Sequence, residues 1–245
     1  MMLSVIIPAY NEGHVIEETL GQMVDSLSTP DLDFEILVVD DGSVDDTAEV
    51  VRGAMVNEPR INLISYQPNH GKGYAVRCGL NKSYGDFIVL FDADLDIPPS
   101  CINVLYSLLV AGPYDGVIGS KAHDDSSTDL AYVRRLITRF TNLIVQLLFR
   151  LPFKDTQVGV KVFRKAVIEA VLPELKTDGF TADIELLYWA HQKGYVIAEG
   201  PVIINRAAST SSVRMRSIIK AMTDLVSLFF RTRVIPFSNG NHGRS

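Results

Sequence analysis

The 245-residue chain carries 23 Lys and Arg against 29 Asp and Glu, a formal charge of −6, and 47 % of it is hydrophobic. That balance excludes a disordered chain, and 17 Gly with 11 Pro exclude collagen-like or low-complexity sequence. An acidic total argues against a general nucleic-acid binder, and the length fits one large α/β domain or two small ones.

In chain order, short β-branched runs alternate with helix-like segments, the pattern of βαβ units around a mostly parallel sheet. Strands are predicted at Ser4 to Pro8, Phe34 to Asp40, Ile61 to Tyr66, Phe87 to Asp92 and Gly116 to Ser120, with helices beginning near Glu12, Val44, Gly71 and Pro98. The opening MMLSVIIPAYNE has no basic region before its apolar run and does not read as a signal peptide. The greasiest stretches, Leu143 to Phe149 and Leu225 to Phe230, are too short to span a bilayer. Cys78 and Cys101 are too few for a disulfide framework and lack metal-ligand spacing, so they read as small core residues.

Charge is segregated. Residues 1–60 hold 13 acids against Arg52 and Arg60, whereas residues 131–165 hold 8 bases against Asp155 and residues 206–235 hold 6 against Asp224. Both basic segments have helical apolar stripes: Leu136, Phe140, Leu143, Ile144, Leu147 and Leu148 in the first, and Ile218, Met222, Leu225, Val226 and Phe229 in the second. Two readings stand for these stripes, burial in the core or attachment to an anionic membrane surface.

In open α/β sheets ligands bind beyond the carboxyl ends of the strands, and three polar clusters fall there. Asp92, Asp94 and Asp96 follow a strand directly; alternate carboxylates there suit Mg²⁺ or Mn²⁺, with diphosphate oxygens completing the shell. Asp40 and Asp41, before Gly42 and Ser43, suit a nucleobase or ribose; the other reading is helix capping by Ser43 or Asp41. Gly71 and Lys72, in the run from Asn69 to Gly79, offer backbone amides and an ammonium to an anion, without the spacing of the Walker phosphate loop or the dinucleotide fingerprint. Asp183 and Glu185 are candidates for a general base or for acids at a helix N-terminus. Trp189, His14, His123 and His191 form no recognisable catalytic set.

These pieces in this order resemble family 2 inverting glycosyltransferases of the GT-A fold. VIIPAYNE at Val5 to Glu12, VVDDGSVDDT at Val38 to Thr47, NHGKGYAVRCGL at Asn69 to Leu80 and FDADLDIPP at Phe91 to Pro99 carry the resemblance. DTQVGVKVF at Asp155 to Phe163 and GFTADIELL at Gly179 to Leu187 are similar to the dolichyl-phosphate glucose and mannose synthases. The resemblance implies that Pro8, Tyr10, Asn11 and Glu12, with Asp40 or Asp41, hold the nucleotide, and that Asp92, Asp94 and Asp96 hold the metal and sugar diphosphate. Lys121, Arg134, Arg135 and Thr138 would grip the acceptor phosphate. The Gly-Ser-Lys run expected before the last helix is Thr210-Ser211-Ser212 here, so Arg206 or Arg214 would replace the missing charge.

The expectation is therefore a GT-A domain over residues 1–205, including an interfacial helix at about 131–150, followed by a membrane-surface helix and tail over 206–245. The expected reaction moves a hexose from a nucleotide diphosphate sugar to a polyprenyl or dolichyl phosphate on the cytoplasmic face of a membrane. UDP-glucose is the first donor, because DTQVGVK is closer to the glucosyl-type subgroup, and GDP-mannose is the alternative. A lipid phosphate is already ionised near neutral pH and needs cationic positioning more than a base, which suits the basic second half. The other readings are a soluble enzyme acting on a sugar or protein hydroxyl and a non-catalytic nucleotide-sugar-binding protein.

Overall fold

A computed structural model describes residues 1–30, 32–120, 145–146, 148–204 and 215–234, with the side chains of the last segment described for 223–232. Among these residues seven strands form one sheet in the order β3-β2-β1-β4-β6-β5-β7. The first four, β1 (Met2–Ala9), β2 (Asp33–Asp41), β3 (Ile61–Tyr66) and β4 (Phe87–Phe91), are parallel to one another. Then β6 (Val160–Arg164) runs antiparallel between β4 and β5 (Gly116–Ser120), and β7 (Ile197–Pro201) pairs parallel with β5. The mostly parallel sheet expected from the sequence is present. It gains two strands that the apolar pattern hid, since Lys161 interrupts β6 and Gly200 with Pro201 end β7.

Both faces of the sheet are covered, which is why β1 and β2 are apolar on alternate and intervening positions alike. Val5, Ile7, Ile36 and Val38 point into one core with the helices α1 (Ile16–Leu27), α2 (Thr47–Asn57) and α4 (Cys101–Ala111). Ile6, Leu37 and Val39 point into the other, with α3 (Lys72–Lys82), α5 (Lys165–Val171), α6 (Ala182–Gln192) and α7 (Met215–Val234).

The two basic segments meet in that second core. Val145 and Phe149 are buried there beside Leu225 and Leu228 of α7, and the Phe149 ring touches those of Tyr188 and Phe229. Val226 and Phe230, 52 % and 61 % exposed, face away. The described part of the α7 stripe thus divides between core and solvent. Among the described residues no helix is long and apolar enough to cross a membrane.

The chain builds β1, β2 and β3 outward on one side and then returns to place β4 on the other side of β1. The carboxyl ends of β1 and β4 therefore flank the point where strand order reverses, and a crevice opens there.

Candidate active site

A cleft of about 630 Å³ occupies this crevice. Pro8, Ala9, Tyr10 and Glu12 reach it from the end of β1, Asp92 and Asp94 from the end of β4, Gly71 and Lys72 from the start of α3, and Gly179, Phe180 and Asp183 from the start of α6. Of the residues expected to hold the donor, Pro8, Tyr10, Glu12, Asp41, Gly71, Lys72 and Asp92 all line it.

Asn11 and Asp40 do not, and their hydrogen bonds show why. Asp40, 2 % exposed, accepts from the Ser43 amide at 3.0 Å and the Ser65 hydroxyl at 2.8 Å, so both its oxygens are engaged within the fold. Asn11 takes a left-handed φ of 58°. Its amide donates to Ser43 Oγ at 2.9 Å and its Oδ1 accepts from Val44 N at 2.9 Å, tying the loop after β1 to the loop after β2.

Asp41 keeps a place in the wall, but its oxygens are also engaged. Oδ1 accepts from His70 N at 2.9 Å, and Oδ2 accepts from Gly71 N at 2.7 Å and Asn69 Nδ2 at 2.8 Å. Three donors on one carboxylate fix the Asn69–Gly71 loop and set up the first turn of α3. Gly71 has to be glycine: its φ is 111°, and a Cβ there would stand 2.4 Å from the Asp178 carbonyl oxygen.

Asp92, Asp94 and Asp96 line a second cavity of about 110 Å³ with Gln157 and Gly159. They do not form the converging trio expected from their spacing, and among the described residues no three acidic, His or Cys side chains are gathered to hold an ion. Asp92 Oδ1 lies 2.7 Å from Lys72 Nζ, while Asp94 Oδ1 accepts from the Asp96 amide at 3.1 Å. Leu95 between them is buried at a left-handed φ of 55°, a strained backbone of the kind held at functional sites.

The unspent charge nonetheless fits a hard divalent cation. Asp96 Oδ1 is buried without a hydrogen-bond partner. Burial, then Asp92 and Asp96, hold the Asp94 carboxyl above its ordinary pKa. Burial, followed by Asp94, pushes Glu12 up to about 7. A cation among these oxygens would relieve all three.

The strand β6 delivers the remaining pieces. Its antiparallel course starts at the carboxyl end of β4, so Gly159 O accepts from Asp92 N at 2.9 Å and Gln157 reaches both cavities. Asp183, expected as a base, is bound on both oxygens: Oδ1 lies 2.9 Å from Lys161 Nζ and Oδ2 lies 3.2 Å from Lys72 Nζ. Burial would raise its pKa, but Lys161 and then Lys72 outweigh burial and hold it below the usual 3.8. Asp183 is thus a shared counter-ion of Lys161 and Lys72, and its lowered pKa makes it a poor proton acceptor. Burial would lower the Lys72 pKa, yet Asp183 and then Asp92 hold it above 10.5, so Lys72 is charged.

Glu185, two residues further on α6, is engaged on both oxygens as well. Its Oε2 accepts from Lys176 N at 2.9 Å and Thr177 N at 2.7 Å, and its Oε1 pairs with Arg231 of α7 at 3.1 Å.

Sequence reasoning missed Phe180, Gln157 and Lys161 as parts of this region. Phe180 and Gln157 stood inside quoted motifs without a chemical signal of their own, and Lys161 carried one: a lone Lys in an apolar strand. The expected acceptor-phosphate residues Lys121, Arg134, Arg135, Thr138 and Arg206 lie outside the described residues.

The cleft thus sits at the strand-order switch, with Lys72 and the carboxylates after β4 in its wall. The chain belongs to glycosyl transferase family 2, whose pattern matches residues 4–172. It is 32 % identical over 241 residues to the dolichyl-phosphate beta-glucosyltransferase ALG5C of Trichomonas vaginalis, covering 92 % of this chain and 71 % of that one. It is 31 % identical over 242 residues to the dolichyl-phosphate beta-glucosyltransferase of Dictyostelium discoideum, covering 94 % and 74 %. It is 29 % identical to the glycosyltransferase AglD of Haloferax volcanii over 236 residues, 96 % of this chain but only 38 % of the archaeal protein's length.

Among solved structures, glucosyl-3-phosphoglycerate synthase from Mycobacterium tuberculosis shares the fold. Its complex with Mn²⁺, UDP and phosphoglyceric acid gives a TM-score of 0.72 at 20 % identity, covering 97 % of this chain and 80 % of that one. Its complex with Mn²⁺ and UDP-glucose gives 0.70 at 19 % identity, over 97 % and 80 %.

Proposed function

We propose that this chain transfers glucose from UDP-glucose, with inversion, to dolichyl or another polyprenyl phosphate at a membrane surface. Two relatives above 30 % identity bear the name dolichyl-phosphate beta-glucosyltransferase, and the related fold is known with UDP-glucose and Mn²⁺.

The observation that carries the choice of acceptor is the state of Asp183. A hydroxyl acceptor needs a carboxylate to take its proton, and Asp183, the α6 carboxylate in the cleft wall, has both oxygens on ammonium groups and a lowered pKa. A phosphate acceptor arrives ionised and needs no such base. Cations to position it are what the second half of the chain supplies, and Lys121, Arg134, Arg135, Thr138 and Arg206 belong to this proposal as its phosphate grip.

Tyr10, Glu12 and the Gly71 loop would bind the nucleotide, and Lys72 would face the diphosphate from the cleft floor. Asp94 and Asp96, with Asp92 beside Lys72, would hold Mg²⁺ or Mn²⁺. When bound, that ion supplies Lewis-acid stabilisation of the departing diphosphate. Lys72 would add a second positive charge toward the diphosphate. Phe180, 53 % exposed, lines the cleft and would shape the approach of an acceptor.

The membrane-surface part of the proposal rests on the exposed Val226 and Phe230 of α7 and on the basic segments. The cytoplasmic face is proposed with it, as is the division into a catalytic part over 1–205 and a surface-attaching part over 206–245.

The test supplies labelled UDP-glucose or GDP-mannose with Mn²⁺ and either a short polyprenyl phosphate or a panel of sugar alcohols, and counts label in the organic and aqueous phases. Glucose label in the organic phase is the expected result. Label on the hydroxyl acceptors alone overturns the phosphate reading, and label from GDP-mannose alone overturns the donor.

A further inference from the structure

Lys161 is the anomaly of the core. It is 1 % exposed on β6, opposite Leu90 of β4 and Ile118 of β5, while its neighbours Val160 and Val162 turn to the other face of the sheet. A buried ammonium costs several kcal/mol even when paired, and a well-packed apolar side chain in its place is often no less stable. Packing alone therefore gives no reason for a lysine here.

Its contacts give one. Lys161 Nζ donates to the Val158 carbonyl at 2.6 Å and to Asp183 Oδ1 at 2.9 Å. Asp183 Oδ2 accepts from Lys72 at 3.2 Å, and Lys72 lies 2.7 Å from Asp92 Oδ1. From the interior to the cleft the charges alternate: positive, negative, positive, negative. Lys161 has no place in the cleft wall, whereas Lys72, Asp92 and Asp183 all do.

We propose that Lys161 is a positioning residue for donor binding: by holding one oxygen of Asp183 it balances that carboxylate and sets the Lys72 ammonium where it meets the diphosphate. An ammonium has three N–H donors, and Lys72 spends two of them on Asp183 and Asp92. The third is left for the ligand only while Asp183 is shared. Without the Lys161 charge, Asp183 draws Lys72 to itself and the cleft floor becomes one unit more negative, which repels a diphosphate. Asp183 is the link, so the effect of Lys161 disappears when Asp183 is neutral. The inference rests on the reading of Lys72 as a diphosphate contact and is independent of which acceptor is used.

The experiment is a double-mutant cycle on the whole chain, read by calorimetric binding of UDP with Mn²⁺ and by the UDP-induced rise in melting temperature. Lys161→Met should weaken UDP about tenfold, the size of coupling expected between contacting charges. In the Asp183→Asn background the same substitution should change affinity less than about twofold. In turnover assays Lys161→Met should raise the donor KM in the parent and leave it nearly unchanged in the Asp183→Asn background.

Should Lys161→Met fail to fold, Lys161→Gln, which keeps a hydrogen bond to Asp183 and removes the charge, takes its place in the cycle. Equal losses in both backgrounds, or none in the parent, overturn the proposal. Inorganic pyrophosphate serves as a second probe. If the parent binds pyrophosphate and not UDP, the nucleotide reading fails while the Lys161 effect is still measured.

Discussion

The acidic first sixty residues and the basic second half use charge in different ways. In the first, carboxylates are spent on nearby backbone and hydroxyl groups: Asp40 on Ser43 N, Asp45 on Thr47 N and Gly13 N, and Asp41 on the loop at His70 and Gly71. In the second, charged side chains meet across the fold. Lys161 and Lys72 share Asp183, and Arg231 of α7 finds Glu185 of α6. The first arrangement makes rigid loops that shape a pocket, because each carboxylate holds backbone amides of its own turn or of a neighbouring loop. The second places charge at the floor of that pocket, because only β6, α3 and α6 together bring the partners within reach. The DxDxD segment belongs to neither, since its acids are left partly uncompensated.

The largest test of that contrast is Asp94→Ala. Among the described residues Asp94 accepts one amide hydrogen bond, so its removal should leave the fold intact and lower glucose transfer by at least about 100-fold through lost metal and diphosphate binding. Near-parental turnover in the labelled-donor assay would place Asp94 with the loop-holding acids instead.

A smaller effect is expected for Asp41→Ala, which strands the amides of His70 and Gly71. Stability in urea should fall by about 1–3 kcal/mol, with a weaker UDP affinity as the loop loosens. An unchanged midpoint alongside lost UDP binding would show that Asp41 serves the ligand more than the loop.

The smallest concerns Glu12 and pH. Its carboxyl, raised from 4.5 to about 7, favours the folded state most when protonated. That contribution is complete below about 4.5 and is lost as pH rises through 7. In chelator, melting temperature should therefore fall over this range, and Glu12→Gln should flatten the fall. An equal slope in parent and variant would assign the titration to another group.

Much of the first half was legible in sequence. The predicted ends of β3 and β5 coincide with the observed ones, while β1 and β2 each extend a residue or two beyond the prediction. Helices α1, α2 and α4 begin three or four residues later than their polar signals, because those residues form the turns; Glu12 O, for example, accepts from Val15 N and Ile16 N before the helix is under way. The pair Asp40 and Asp41 is legible as strand-end acids, but only the folded chain shows Asp40 holding the Ser43 turn and Asp41 the loop before α3. By contrast β6 escaped notice because its central Lys breaks the apolar pattern, and that same residue closes the charge chain at Asp183.

The sequence by itself determined the family, the parallel strands and the places where carboxylates leave strand ends, since turn chemistry and apolar periodicity act over a few residues. Only the tertiary structure decided which of those acids face the cleft and which cations neutralise them. Lys72 and Asp183 stand 111 positions apart and touch because α3 and α6 cover one face of the sheet beside β6. A charge chooses its partner by distance in space, and that distance is set by strand order, which no local pattern records.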